Sequence, residues 1–371
     1  MTHLKAFRIG FIGLLIGLQI QAFAQPHRVK RPRRSPAAQI SQTIGLSTIT
    51  IDYSRPATRK RKVWGGIVAF GLQNNNFGQR KPMPWRAGAN ENTVFTLSDA
   101  ASINGKPLKA GSYGLHMIVQ ADQQVTVIFS KNYTSWGSFF YDNQEDALRI
   151  QSKLEDYPVH IERLKYEFEA ITNNTTKVCL YWGKKKISFT VSFDVHTIVL
   201  AKMKNELKNY PGFFWEGPLS AAQYCVDNNV ALDQALKWVN QSIKIKSTFA
   251  NNREKASILI RQGKSAQALK YIDQALPLGT IFQLHSLGRE LIRFKLLKKA
   301  MEVFSYNYKK HKDTPVTINF GMMRGHSALG QYQKALKYAK AALKHVPSHD
   351  QSNQRQLADA IKKLKNKQDV N

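Results

Sequence analysis

The second half of the chain repeats a pair of small and apolar residues at intervals of 32 to 35 residues. The pairs are Ala235-Leu236, Ala268-Leu269, Ala300-Met301 and Ala335-Leu336. A second mark follows seven residues after each Ala, at Ser242, Ala275, Asn307 and Ala342. Such spacing is typical of helix hairpins whose two helices approach closely and which must stack to bury their apolar faces. We therefore predict an all-α helical-repeat module over residues 213–350.

The repeat spacing resembles the tetratricopeptide pattern of roughly 34 residues. The first-helix Trp and Gly-Tyr marks of that pattern are mostly missing, and an ordinary helical bundle remains the alternative. The resemblance implies a concave groove that holds peptides or protein segments.

Two segments flank the predicted repeats. Residues 196–212 show a helical pattern that stops at Pro211-Gly212, because neither residue continues a helix well, and we predict a linker helix there. Residues 351–371 are polar, and we predict a tail that frays from Lys362 onward.

Apolar residues alternate with polar ones through residues 37–195, which is the period of a strand with one buried face. The apolar positions are Ile49, Ile51 and Tyr53; Phe95 and Leu97; Tyr113, Leu115, Met117 and Val119; Val125, Val127 and Phe129; Leu164, Tyr166 and Phe168; Val178, Leu180 and Trp182; and Ile187, Phe189, Val191 and Phe193. No useful helical period interrupts them, so we predict an antiparallel β-sandwich or barrel. The whole chain is then an α+β multidomain protein, with this β module before the helical repeats.

Two short segments predict reversals between strands. Asn104-Gly105 is typical of a two-residue hairpin turn, because both central positions of that turn have positive φ. Gly183, which precedes Lys184 and Lys185, predicts a second tight reversal.

A long segment without alternation, residues 55–91, lies inside the predicted β module. Long loops in compact domains are often functional. Near its end, Arg86 could pair with Glu91 as a structural strut, or hold a carboxylate or phosphate beside a Trp platform. We predict a loop-lined ligand pocket from Arg55, Trp85, Arg86, Asn90, Glu91, His116 and Trp136.

Five strings in this half resemble the bacterial exported family called domain of unknown function 2911. They are Tyr53-Ser54-Arg55-Pro56; Trp64-Gly65-Gly66; the segment from Trp85 to Asn92; the segment from Gly105 to Tyr113; and Ser135-Trp136-Gly137. Their order and spacing match as well. The resemblance implies an exported β module and no established reaction.

The N-terminus predicts a signal peptide over residues 1–24. Lys5 and Arg8 precede a short apolar run, and Ala22 and Ala24 supply the small residues of a cleavage site. The run is too short to span a bilayer comfortably. We expect export to the periplasm or the exterior, with Gln25 as the mature N-terminus and no transmembrane segment in the mature chain.

The chain is strongly basic, with a formal net charge of +30 that extends over both halves. Residues 25–36 predict a basic flexible arm. The positive electrostatic field of such a chain favours anionic partners. Because an exported protein rarely meets nucleic acid, we rank lipopolysaccharide, anionic glycans and lipid headgroups first and expect no specific nucleic acid. Charge that serves solubility alone is the alternative.

A search for reactive groups finds no motif for metal, nucleotide or nucleophile chemistry. Ser54, His116 and Glu91 have the residue types of a catalytic trio, but nearly any chain offers such a set. Cys179 and Cys225 fall in different modules, and two buried free thiols are favoured over a disulfide. We predict no catalytic residue, metal site or cofactor.

These patterns favour a non-enzymatic binding or scaffold protein that holds another envelope protein or peptide in its repeat groove. The first alternative is an envelope hydrolase-like enzyme acting on glycan or peptide, with Glu91 or His116 as acid/base. The second is a polyanion-binding protein that uses its basic surface for nucleic acid or lipopolysaccharide.

Overall fold

The computed structural model describes residues 31–371, which form two compact units that divide after Phe193. The predicted signal peptide and most of the basic arm lie outside the described residues. The first unit is a β module, and the second is all-α.

The β module contains nine strands in the described part of the chain, and all of their pairings are antiparallel. They are β1 (Ala37–Ile44), β2 (Ser47–Ser54), β3 (Val94–Leu97), β4 (Ala101–Ile103), β5 (Lys106–Leu108), β6 (Gly111–Val119), β7 (Gln124–Ser130), β8 (Asp146–Glu169) and β9 (Thr175–Ser192). Their order is β1-β2-β3-β6-β7-β8-β9-β4-β5. Beyond β2, the Thr58 amide donates to the Glu162 carbonyl of β8 at 2.8 Å, so the sheet folds back on itself. The prediction of an antiparallel sandwich or barrel is confirmed.

The predicted apolar faces form the core of this module. All of their side chains are buried except Phe168, which is half-buried. Phe95, Phe129 and Phe189 pack edge to face, with ring centroids 5.1 to 5.9 Å apart. Asn104 and Gly105 form the predicted hairpin turn between β4 and β5, with φ of 46° and 82°.

The predicted reversal at Gly183 is wrong, because β9 runs through this residue as one strand. Gly183 has a φ of 62° and opposes Ile161 of β8, where the register shifts on both sides. Glycine adopts positive φ without steric cost, and that freedom serves a bulge as readily as a turn. The bulge lets the long β8–β9 pair bend.

Ten α-helices form the second unit. They are α1 (Val195–Glu206), α2 (Glu216–Asp227), α3 (Leu232–Ile245), α4 (Phe249–Arg261), α5 (Ser265–Ala275), α6 (Ile281–Arg293), α7 (Leu297–Lys310), α8 (Pro315–Ala328), α9 (Tyr332–Lys344) and α10 (Gln351–Lys365). A 3₁₀ turn at Tyr210–Phe213 separates α1 from the pairs α2–α3, α4–α5, α6–α7 and α8–α9.

The helix pairs confirm the predicted repeat. The four marked Ala residues lie in the second helix of each pair and are wholly buried, as are the later marks except Asn307, which is 1% exposed. The first helices also use small residues, since a Cβ on Gly288 would lie 2.4 Å from the Phe304 ring. Close helix approach therefore depends on the residues that define the repeat.

The polar tail is folded, so the predicted fraying is wrong. Residues 351–365 form α10, which buries Leu357, Ala360 and Leu364 against the last helix pair. These three apolar residues share one helix face and were obscured by the many Lys, Asn and Gln around them. Past the helix, Asp369 accepts a hydrogen bond from the Ser327 hydroxyl at 2.6 Å.

Both cysteines are free and buried, as predicted. Burial raises the pKa of Cys179 to about 12 and that of Cys225 to about 11, so neither thiol is reactive at neutral pH. Within residues 31–371, no helix combines the length and apolar character that crossing a bilayer requires.

Candidate functional site

The loop that precedes β3 is fixed to the sheet at Trp85. Its backbone exchanges two hydrogen bonds with Met117 of β6, at 2.7 and 2.9 Å. Its indole is 7% exposed, donates to the Gly88 carbonyl at 3.2 Å and stacks on Trp182 with centroids 6.0 Å apart. Trp64 packs edge-on against both indoles. Trp85 is therefore a core residue and offers no platform for a ligand.

Arg86 is a half-buried cation whose contacts are internal. Its Nη1 donates to the Asn90 carbonyl at 2.5 Å, and its guanidinium lies 4.7 Å from the Phe139 ring centroid. A Cβ on Gly137 would lie 2.4 Å from the guanidinium carbon, so a larger residue there would displace the Arg86 side chain. Burial lowers the pKa of Arg86, and no carboxylate pairs with it among the described residues.

The predicted strut between Arg86 and Glu91 is wrong. Glu91 accepts two hydrogen bonds from Arg33 of the basic arm, at 2.6 and 2.9 Å. Arg33 lies 58 residues away in sequence, so the pairing depends on how the arm runs beside the loop. Both side chains remain largely exposed.

Of the remaining predicted pocket residues, Asn90 and Arg55 are hydrogen-bonded within the fold, and the Trp136 ring is exposed. Asn90 donates to the Ser35 carbonyl and to the Ser54 hydroxyl, and Arg55 donates to a β8 carbonyl at 3.0 Å. Trp136, by contrast, is 54% exposed. The structure thus brings Arg86 together with Asn90 and the 137–139 segment, while Arg55, Glu91 and Trp136 have separate surroundings.

His116 of β6 is 2% exposed and shares a 2.8 Å hydrogen bond with the Ser138 hydroxyl. Burial first, and then the charge of Arg86, lower its pKa to about 4. The suggested trio is not formed, since Ser54 bonds to Asn90. Ser138 was missed, although it follows directly after the Ser135-Trp136-Gly137 string.

The arrangement around His116 fits a structural role. A general base works best when its pKa lies near the working pH, and a buried imidazole with a pKa of about 4 is a weak proton acceptor. The Ser138 hydroxyl lets the buried ring satisfy one of its nitrogens. The neighbouring Tyr141 ring, 5.4 Å away, covers it edge-on.

A groove of about 350 Å³ lies beside Tyr141 in the β module. Tyr141 donates to Asp146 at 2.8 Å and accepts from Arg149 at 2.7 Å. The apolar part of the groove comes from Leu72, Pro82 and Ile118. None of the seven predicted pocket residues lines this groove.

Three further cavities, of about 300, 250 and 210 Å³, lie in the helical module. All three are lined by Arg324 of α8, and two of them also by Arg289 of α6. Residues of α10 complete the two smaller cavities. The sequence did not indicate this site directly, but Arg289 and Arg324 are 35 residues apart, which matches the last repeat interval.

Two side chains at these cavities have buried polar atoms without partners. They are the Nε atom of Arg324 and the Nδ1 atom of His285. Burial first, and then the charges of Arg324 and Arg289, lower the pKa of His285 to about 4. The site is therefore cationic, and the Arg324 Nε–H donor has no acceptor within the described chain.

Within the described chain, no cluster of three or more His, Cys, Asp or Glu side chains could hold a metal ion. The cationic cavity residues Arg289 and Arg324 are donors that favour anions instead.

Comparison with known protein families finds a match within the first unit. Residues 35–191 match the family described as protein of unknown function (DUF2911). No curated protein matches the chain significantly.

Several solved structures show a limited likeness. A Podosopora anserina protein with nearly identical TPR-like repeats is 15% identical, covering 41% of this chain and 85% of its own, with a TM-score of 0.32. YrrB, a TPR protein with an unusual peptide-binding site, is 16% identical over 44% of this chain and 84% of its own, with a TM-score of 0.28. MamA from Desulfovibrio magneticus RS-1 is 14% identical over 41% of this chain and 93% of its own, with a TM-score of 0.28. Residues 35–191 thus match the DUF2911 family model, and the helix pairs that follow are tetratricopeptide-like in their spacing.

Proposed function

We propose that this is an exported bacterial binding or scaffold protein whose helical repeats hold a segment of a partner protein from the cell envelope. The observation that carries the proposal is the set of cavities along α6, α8 and α10, which share Arg324. Stacked helix pairs offer a continuous binding surface. Phe282, which is 68% exposed, stands at one cavity and would gain burial from a bound segment.

The hydrogen bonds of the predicted pocket residues in the β module support a binding role for the repeats instead. Arg86, Asn90 and Glu91 are hydrogen-bonded to other protein groups, and His116 is bonded to Ser138. These polar groups have partners within the fold, whereas Arg324 Nε and His285 Nδ1 at the helical cavities have none among the described residues. We therefore favour the repeats over the hydrolase-like alternative.

Site-specific photo-crosslinking in the full chain tests this proposal. A benzophenone amino acid at Phe282 should give discrete adducts in envelope extract, because that position lines a cavity. The same substitution at Leu269 of α5 is the control, since Leu269 is exposed but lines none of these three cavities. Equal adduct patterns from both positions would contradict a repeat-groove partner.

Export to the periplasm or exterior is part of the proposal and is supported by the N-terminal sequence pattern. Sequencing of the protein from cell fractions should find Gln25 as its first residue in the exported fraction. A chain that stays in the cytoplasm and begins at its first residue would overturn this part. Anionic glycans or lipid headgroups remain secondary candidates, which the basic composition favours.

A further inference from the structure

We infer that the cavities around Arg324 bind an acidic side chain of the partner segment, with Arg289 and Arg324 as donors to its carboxylate. The inference rests on the proposed function and adds the chemistry that would select the partner.

Arg324 keeps a polar atom that the fold does not use. Its Nε is buried without a partner, and its Nη1 lies 3.5 Å from the Asn371 Oδ1, at the limit of a hydrogen bond. A buried cationic N–H without an acceptor costs free energy. An acceptor supplied by a ligand would remove that cost.

Arg289 supplies the second cation. It occupies the position on α6 that corresponds to Arg324 on α8, and the two residues line the same two cavities. After burial, the charge of Arg289 is the next cause that lowers the pKa of Arg324. Two guanidinium groups held within each other's field favour an anion, and a carboxylate can accept from both.

Among the described residues, Asp369 lines the 300 Å³ cavity and Asp359 the 210 Å³ cavity, whereas no carboxylate lines the 250 Å³ cavity. Asp369 is the carboxylate whose charge acts on Arg324, but that effect is smaller than the effect of Arg289. The Oδ1 atom of Asp369 already accepts from the Ser327 hydroxyl at 2.6 Å and from the Val370 amide at 2.8 Å. The positive potential at the cavities is therefore available to a ligand.

The other lining residues favour a protein segment over a free anion. The 250 Å³ cavity adds apolar surface from Phe282, Val316 and Phe320 to the arginines. Asn353 and Gln356 of α10 line the same cavity. The Asn353 Nδ2 already donates to Asp350 at 2.7 Å, whereas the Gln356 amide can pair with a peptide backbone. Inorganic phosphate would leave the apolar surface of this cavity unused.

Selection from a displayed library of random octapeptides, with the full-length chain as bait, tests the inference. Selected peptides should carry Asp or Glu beside an aromatic or aliphatic residue. The variant R289Q/R324Q should bind a selected peptide about tenfold or more weakly, because charged hydrogen bonds are lost. The control K337Q/K340Q removes the same charge from exposed positions of α9 and should change the affinity less than about twofold.

Several outcomes would overturn the inference. Equal losses in both variants would indicate non-specific attraction by the basic chain. Selected peptides without acidic residues that still crosslink at Phe282 would refute the acidic partner and leave the proposed groove standing. If no peptide is selected and Phe282 gives no specific adduct, both the inference and the proposed function fail.

A second measurement does not depend on whether the double variant folds. In the unaltered protein, NMR titration of His285 reports the local potential, since burial and then the charges of Arg324 and Arg289 lower its pKa to about 4. A bound carboxylate should raise that pKa, while the pKa of His116 should stay unchanged. An unchanged His285 titration with saturating peptide would contradict binding at this site.

Discussion

Each of the two units contains a buried or half-buried imidazole beside an arginine, and in both the pKa of the histidine falls to about 4. In the β module, His116 bonds to Ser138, and Arg86 donates to the Asn90 carbonyl. In the helical module, His285 Nδ1 and Arg324 Nε have no partners.

The difference teaches that a lowered pKa by itself does not identify a binding site. Burial and a nearby cation produce the same shift in both places. What separates them is whether the polar atoms are satisfied by the fold. In the first pair the polar atoms hold a loop on a sheet, and in the second Arg324 Nε and His285 Nδ1 have no partner among the described residues.

The largest expected difference in stability between the two units comes from replacing Arg86 or Arg324 by alanine. Arg86→Ala should lower the free energy of unfolding of the β module by about 3 kcal/mol, because it deletes a charged hydrogen bond and the packing on Phe139. Arg324→Ala should lower the stability of the helical module by less than about 1 kcal/mol, because Arg324 Nε has no hydrogen bond to lose and the Nη1 contact with Asn371, at 3.5 Å, is at the limit of one.

Each unit carries its own probe for this measurement. Cys179 and Cys225 are buried free thiols, one in each unit, so thiol labelling across a urea series in the intact chain reports the two unfolding transitions separately. A larger loss at Cys225 for Arg324→Ala than at Cys179 for Arg86→Ala would reverse the comparison.

Acidification should produce a smaller difference in stability between the two units. Between pH 6.5 and 4 the unfolded chain protonates His116 while the folded chain does not, so acid favours unfolding. From pH 7 to 5 the β module should lose about 2 kcal/mol of stability. Labelling of Cys179 with a reagent that remains active in acid measures this loss.

The helical module should change less over the same range, because two groups oppose each other. His285 acts as His116 does, but burial raises the pKa of Glu254 to about 7, against the charge of Arg253. Folded Glu254 holds its proton between pH 4.5 and 7, so acid favours folding there. Glu254→Gln should remove this offset, and an equal acid response at Cys225 in both chains would contradict it.

The smallest effect is expected at Glu91, the predicted acid of the alternative enzyme. Glu91→Gln breaks an exposed pair with Arg33 and should change the stability of the β module by less than about 1 kcal/mol. Arg33→Gln is the matched control and should give the same small change. A loss as large as that of Arg86→Ala would mean that Glu91 belongs to the buried network.

Several features of the site could be predicted only in part. The composition of the loop near Arg86 indicated that the loop matters. It did not indicate the partner of Arg86, because Glu91, five residues away, is the obvious charge partner, whereas the observed acceptor is the backbone carbonyl of Asn90, which no side-chain pattern reveals. The repeat interval places Arg289 and Arg324 at equivalent positions of neighbouring helix pairs. The interval alone does not indicate a cavity, because charged residues at equivalent helix positions usually face solvent.

The sequence by itself determined the alternation of β-module residues, the turn at Asn104-Gly105 and the intervals of the helix pairs, because each depends on local periodicity or on one backbone conformation. The tertiary structure decided what the periodicity leaves open. In the tertiary structure Gly183 lies at a β-bulge, the polar tail packs on α8 and α9, and Glu91 forms its ion pair with Arg33. The physical reason is that hydrogen-bond partners and burial depend on which distant segments meet, and the order of residues does not specify those meetings locally.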